Sequence, residues 1–309
     1  ADVNTPMNDG RTPVFIAAEL GQAGAITALV EHGADVNTPD EDGWVPMVIA
    51  AIEGKVGAIT ALVDAGADVN SCLKDGRNAL CCAAIGGNEG AIKVLAKLGA
   101  DINAPDDENS SPVSFAAQKG KVGAIRALAE LGADVNTPDE DGCTPLCVAA
   151  QEGKVGAVRA LAELGADVNT PDEDGWTPVY VAAGEGNVET ITALAELGAD
   201  VNVPDRDGKT PLHVAAGMGE VKAIRVLAEL GADINTPDED GCTPLFVAAQ
   251  KGKVGAIRAL AELGANVNTP DEGGCTPVYV AAQFGQAGAI TALAELGADV
   301  NTPDEDGWT

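Results

Sequence analysis

Aromatic side chains are scarce: three Trp, two Tyr and four Phe supply 3% of the 309 residues. A core of packed rings is thereby excluded. With 38 glycines and long alanine runs, the chain is expected to pack in thin layers rather than around a thick centre. Positive charge is also short. Lys and Arg number 18 against 48 Asp and Glu, a formal net charge of −30. That balance argues against nucleic acid or an anionic membrane surface as partner. No run of residues approaches the roughly 18 apolar positions of a membrane span. Histidine is limited to His32 and His213, far apart in the chain, so no triad can be assembled around one. The seven cysteines are an odd number without paired spacing, which points to a reducing, intracellular setting rather than a disulfide framework. The opening Ala1-Asp2-Val3-Asn4 reads neither as a signal peptide nor as a translation start.

What the sequence has in abundance is repetition. Asp-Gly-x-Thr-Pro, or a variant, places its glycine at Gly10, Gly43, Gly76, Gly142, Gly175, Gly208, Gly241, Gly274 and Gly307, with Asn109 standing where one glycine is missing. A second motif, Gly-Ala-Asp-Val/Ile-Asn, recurs from Gly33 to Gly297 with the same 33-residue period, and Asn266 replaces its aspartate once. No insertion disturbs the register, so the architecture is a solenoid. Each unit reads as turn, helix, turn, helix. Thr177-Pro178 is an N-cap followed by proline at the first helical position, where the missing N–H costs nothing. In the second helix, Val155, Val158, Leu161, Ala162 and Leu164 form one buried stripe. Gly165 then offers a left-handed stop. Pro171 to Gly175 makes a polar, hairpin-like turn. Neither helix is long enough to stand alone, so each must bury its face on its neighbours.

A 33-residue unit with Thr210-Pro211-Leu212-His213-Val214-Ala215-Ala216, followed by Gly231-Ala232-Asp233-Ile234-Asn235, resembles the ankyrin repeat. The resemblance covers the whole chain and implies an all-α solenoid of helix–turn–helix units linked by β-hairpin-like turns. Nine units are expected to form a single array over 1–309, entered and left in mid-repeat and without obvious caps. That is the form of a piece of a longer natural array, with a designed repeat scaffold as the competing reading. Uncapped ends lead to an expectation of head-to-tail self-association. The chain departs from the pattern in two ways. The histidine position holds Phe15, Val48, Cys81, Ser114, Cys147, Tyr180, Phe246 and Tyr279 elsewhere, so a histidine network running between units should be absent. The second helix opens with glycine at Gly24, Gly57, Gly90, Gly123, Gly156, Gly255 and Gly288, each costing up to about 1 kcal/mol relative to alanine.

The charge is unevenly placed. The ten turns hold 33 acidic and 5 basic residues, so −28 of the −30 lies on them. Nine of these acids are the Asp of Gly-Ala-Asp, expected to serve turn hydrogen bonds. The tips, such as Asp139-Glu140-Asp141 and Asp172-Glu173-Asp174, either form a solvated edge or dock a basic protein segment. The turns carry no Asp-x-Asp-x-Asp-Gly loop with a distal Glu, so no specific metal site is expected. Cys81-Cys82, Cys143 with Cys147, Cys242 and Cys275 lack zinc spacing and read as packing thiols. No glycine follows a strand in a nucleotide loop, and no cofactor is expected.

Tryptophan recurs after the turn glycine at Trp44, Trp176 and Trp308. The resemblance implies that this position, the tip residues before it and the end of the first helix face partners. The candidate partner-binding residues are therefore Trp44, Glu140, Asp141, Gln151, Glu152, Glu173, Asp174, Trp176, Tyr180 and Glu185. The function expected is a non-enzymatic protein-interaction scaffold, with a concave groove and an acidic turn edge for a basic or mixed partner. A structural spacer or elastic tether in a larger protein is the alternative.

Overall fold

A computed structural model describes residues 2–301, so Gly307 and Trp308 lie outside the described residues. The described chain holds 18 helices in strict alternation. First helices of seven or eight residues run from Pro13–Glu19 to Pro277–Gln283, and nine-residue second helices from Ala23–Glu31 to Ala287–Glu295. Two compact units are formed, Ala1–Ala149 with Ala160–Ala166, and Ala150–Arg159 with Asp167–Thr309. Within each unit, first helices pack on first helices and second on second, giving two helical layers. The all-α solenoid expected from the repeat is what the chain forms, without a strand among the described residues.

The same local chemistry starts most first helices, the exception being Pro46–Ile52, where Val45 makes no side-chain cap. Thr177 is extended (φ −78°, ψ 163°), and its hydroxyl accepts from the Tyr180 N–H at 3.3 Å, with Pro178 next in line. Where the Thr-Pro pair is missing, Asn78 takes over and accepts from the Cys81 N–H at 2.9 Å. The core is as thin as the aromatic shortage requires. First helices bury pairs such as Ala215 and Ala216, and second helices bury Ile224 and Leu227, all fully. Each fully buried Ile or Leu contributes about 1.5–3 kcal/mol. Cys81 and Cys82, on one first helix, are both buried, and burial pushes their thiols up to about 12 and about 11. They pack as apolar side chains.

The turns are hairpin-like but carry only one bridge among the described residues, Cys72 with Asn78. In the turn before Trp44, the Asp40 N–H donates to the Trp44 carbonyl at 2.9 Å and the Gly43 N–H to the Asp40 carbonyl at 3.1 Å. Gly43 sits at φ +88°. Asn109, the substitute for a turn glycine, has φ +59° and is the one non-glycine among the described residues with positive φ. Asparagine is among the few side chains that tolerate this region, and its Nδ2 donates to the Pro138 carbonyl at 3.1 Å.

Successive repeats are also joined by polar ties that span one period. The Asp134 N–H donates to Asn103 Oδ1, and the Asp233 N–H to Asn202 Oδ1, each at 3.0 Å. Asn187 Nδ2 reaches back to the Gln151 carbonyl at 2.7 Å, satisfying a helix-end acceptor. Several opening glycines of the second helices have a packing reason. A methyl group at Gly255 would come within 3.1 Å of Val221 Cγ2, and one at Gly288 within 3.2 Å of Val254 Cγ2. At Gly24 nothing lies within 4 Å, so there the expected cost of glycine stands without compensation.

Candidate interaction surface

The turn tips are built around one aspartate each. Asp40 Oδ1 accepts from the Asp42 N–H at 3.1 Å and from the Trp44 N–H at 2.8 Å. Asp106, Asp205 and Asp238 make the same pair of bonds. The first acid of these tips is therefore committed to the turn, leaving two acids to face outward at the Asp40, Asp106 and Asp238 tips and one, Asp207, beside Arg206. The Asp of Gly-Ala-Asp is committed as well: Asp35 Oδ1 accepts from the Asn37 N–H at 2.9 Å, and its Oδ2 from the Thr38 hydroxyl at 2.9 Å. Neighbouring tips are tied by backbone bonds, such as Glu140 N–H to the Glu108 carbonyl at 3.2 Å and Arg206 N–H to the Asp174 carbonyl at 3.3 Å. Each such tip is thus held both by its own turn and by its neighbour within the unit.

The ten candidate residues fall in different places. In the first compact unit, Glu140 and Asp141 are exposed tip residues and Trp44 is half-buried. In the second, Gln151, Glu152, Glu173, Asp174, Trp176 and Glu185 are exposed. Tyr180 is different: it is 7% exposed, and its hydroxyl donates to Asp205 Oδ2 at 2.8 Å. Burial, followed by that carboxylate, pushes the phenol well above its ordinary range. Its ring stacks on Trp176, with centroids 5.6 Å apart and planes inclined by 12°. Tyr180 is therefore largely covered, although it still lines two recesses in this unit. It fixes Trp176, which keeps 40% of its surface exposed. Its bond to Asp205 is also a link to the next repeat, in place of the histidine link that this repeat lacks.

His213 makes that histidine link once. Its Nδ1 accepts from the Thr210 N–H at 3.0 Å, and its Nε2 lies 3.0 Å from the Cys242 carbonyl in the next repeat. Burial holds its pKa below the usual 6.5. His32, at a helix end, places Nδ1 2.9 Å from the Ala28 carbonyl.

Three recesses open beside the tips. Around Trp176, a recess of about 370 Å³ is lined by Asp174, Asp205, Arg206, Asp207 and Lys209, and Lys209 pairs with Asp207 at 3.0 Å. A larger one of about 610 Å³ in the same unit is lined by Val214, Met218, Phe246 and Val247 together with charged residues of both signs, among them Asp238, Asp240, Lys251 and Lys253. In the first unit, about 490 Å³ lies beside Trp44, over Phe15, Ile49 and Ile52.

Arg206 and Met218 are not among the ten candidates, although Met218 lies at a first-helix end, one of the positions expected to face partners. Arg206 interrupts the acidic tips in Pro204-Asp205-Arg206-Asp207, a signal that was readable. Met218 belongs to a row of equivalent first-helix ends, namely Leu20, Glu53, Gly86, Lys119, Glu152, Glu185, Met218, Lys251 and Phe284. Leu20, Met218 and Phe284 are 61%, 56% and 54% exposed. Glu and Lys occupy the same position in other repeats, so the fold does not require an apolar side chain there.

The family model described as ankyrin repeats (three copies) matches residues 1–72, 38–106, 103–172, 165–238 and 234–304. No curated protein matches the chain. Ankyrin repeats generally mediate protein–protein interaction and are generally non-catalytic. Among the described residues, no helix is long and apolar enough to cross a membrane.

Proposed function

The chain belongs to the ankyrin-repeat family, and on that premise we propose that it is a non-enzymatic, intracellular protein-interaction scaffold. It would bind a protein partner through the turn tips and first-helix ends. One observation carries this reading: large apolar side chains at Leu20, Met218 and Phe284 are more than half exposed at a position that accepts Glu or Lys in other repeats. Exposed apolar groups without a structural need are what an interface presents. Outward acids such as Glu140, Asp141, Glu173 and Asp174 support a basic or mixed partner. They act mainly by steering its approach. The odd cysteine count without paired spacing supports the intracellular setting.

Selecting binders to the whole chain from a random-peptide display library tests the reading. Met218→Glu and Phe284→Glu are expected to weaken some of the selected peptides tenfold or more. Arg225→Gln, on a second helix, is expected to leave them unchanged. A library that yields no binder, or binders indifferent to both apolar positions, would favour a spacer instead.

A further inference from the structure

The recesses beside Trp44 and Trp176 differ in charge in a way that the net −30 conceals. The Trp176 recess already contains two cations, Arg206 and Lys209, and its indole is covered on one face by Tyr180. The Trp44 recess has one cation, Arg11, and that cation is already engaged. Arg11 Nε donates to Asp9 Oδ2 at 2.7 Å, and Nη1 lies 3.3 Å from Glu19 Oε2. Four further carboxylates line the same recess: Asp40, whose Oδ1 is taken up by its own turn, and Glu41, Asp42 and Glu53. None of the last three makes an ion pair or side-chain hydrogen bond among the described residues. Glu41 and Asp42 come from the turn and Glu53 from the first-helix end, so two separate segments supply the acids. The lining is otherwise apolar and aromatic, with Ile49, Ile52 and the indole of Trp44 all half-buried.

We propose that this recess is a docking site for a single arginine side chain of an extended protein segment. The proposal rests on the interaction-scaffold reading and names the partner's chemistry at one point of that surface. Each part of an arginine has a counterpart here. Its methylene stem covers the isoleucines. Its planar guanidinium stacks on the indole, which attracts cations through the ring quadrupole. Its forked N–H donors can meet carboxylates from both segments at once, for which a guanidinium is better suited than an ammonium. The cost of desolvating three uncompensated acids is smallest when the incoming group is itself charged. About 490 Å³ is ample for one such side chain and too small for a folded element.

Trp44 supplies its own reporter once Trp176→Phe and Trp308→Phe leave it as the one tryptophan. The probes are acetyl-Gly-Ala-Arg-Ala-Gly-amide and its lysine and citrulline counterparts, titrated at fixed ionic strength. A saturable change in Trp44 fluorescence is expected, with the arginine peptide tightest and the neutral citrulline isostere about tenfold weaker or more. Asp42→Asn with Glu53→Gln, which spares the turn bonds made by Asp40, is expected to abolish the preference for arginine. Citrulline binding as well as arginine, or a preference untouched by the double substitution, would overturn the site. A tighter lysine peptide would overturn the assignment to arginine. Display-selected peptides give the independent arm. If they carry no basic residue and ignore Trp44→Leu, the recess fails while the scaffold reading stands.

Discussion

A histidine that accepts from Thr210 N–H through Nδ1 and points Nε2 at the Cys242 carbonyl has one protonation state open to it. The network assigns the neutral Nε2–H tautomer, because a proton on Nδ1 would remove the acceptor. Burial disfavours the cation in the same direction. The folded pKa thus lies below the unfolded one. The contribution of His213 is complete above about 6.5 and is lost as pH falls through the folded value. Its imidazole C–H resonances are expected to titrate with a midpoint under 6.5, and a midpoint at or above that value would contradict the assignment. Cys242 supplies only its carbonyl to this link, whereas Tyr180 uses the carboxylate of Asp205. The motif histidine could be read from the sequence. The tyrosine substitute could not, because nothing in residue type relates positions 180 and 205 until the repeats are stacked.

At the scale of helices, a row of ion pairs joins second helix to second helix. Arg126 meets Glu163 at 2.6 Å, and Arg225 meets Glu262 at 2.6 Å. Lys93–Glu130, Arg159–Glu196 and Arg258–Glu295 follow the same offset. These side chains are about half exposed, so each pair is worth roughly 0–1 kcal/mol. Threonine holds the same helix position before the row, at Thr27 and Thr60, and within it at Thr192. The residue at the pairing offset from Thr60 is Lys97, where an arginine would meet like charge; from Thr192 it is Glu229. Thr192→Arg is therefore expected to stabilise by about 0.2–1 kcal/mol and Thr60→Arg to destabilise by a similar amount. Urea unfolding at low and high salt checks both, and equal signs for the two would refute a charge-determined row. Helix positions, caps and the proline starts were all legible in the sequence, because those signals are local. The Asn103–Asp134 tie, the Val221–Gly255 contact and the Arg–Glu offset were not, since each spans about one period and depends on how neighbouring helices abut.

At the scale of the whole molecule, composition and function meet in the division between buried and outward positions. A core of Ala, Ile and Leu repeats with little change, while the residues at tips and first-helix ends differ from repeat to repeat. The acidic excess was visible as a count. Its division into turn-making aspartates and outward carboxylates became visible only with the hydrogen bonds of Asp40 and Asp35. Trp44 and Trp176 looked equivalent in sequence, yet one lines an acidic recess and the other lies stacked on Tyr180 beside two cations. If outward acids steer a partner and Trp176 holds it, the two contributions separate in kinetics. The decisive measurement is stopped-flow binding of a display-selected ligand that engages the Trp176 tip, at low and high salt. Charge reversal at Glu140, Asp141, Glu173 and Asp174 should slow association several-fold and flatten its salt dependence. Trp176→Ala should instead speed dissociation, at a cost of about 2 kcal/mol. Rates that ignore ionic strength, the four reversals and the loss of Trp176 would contradict an interaction surface built from the turn tips.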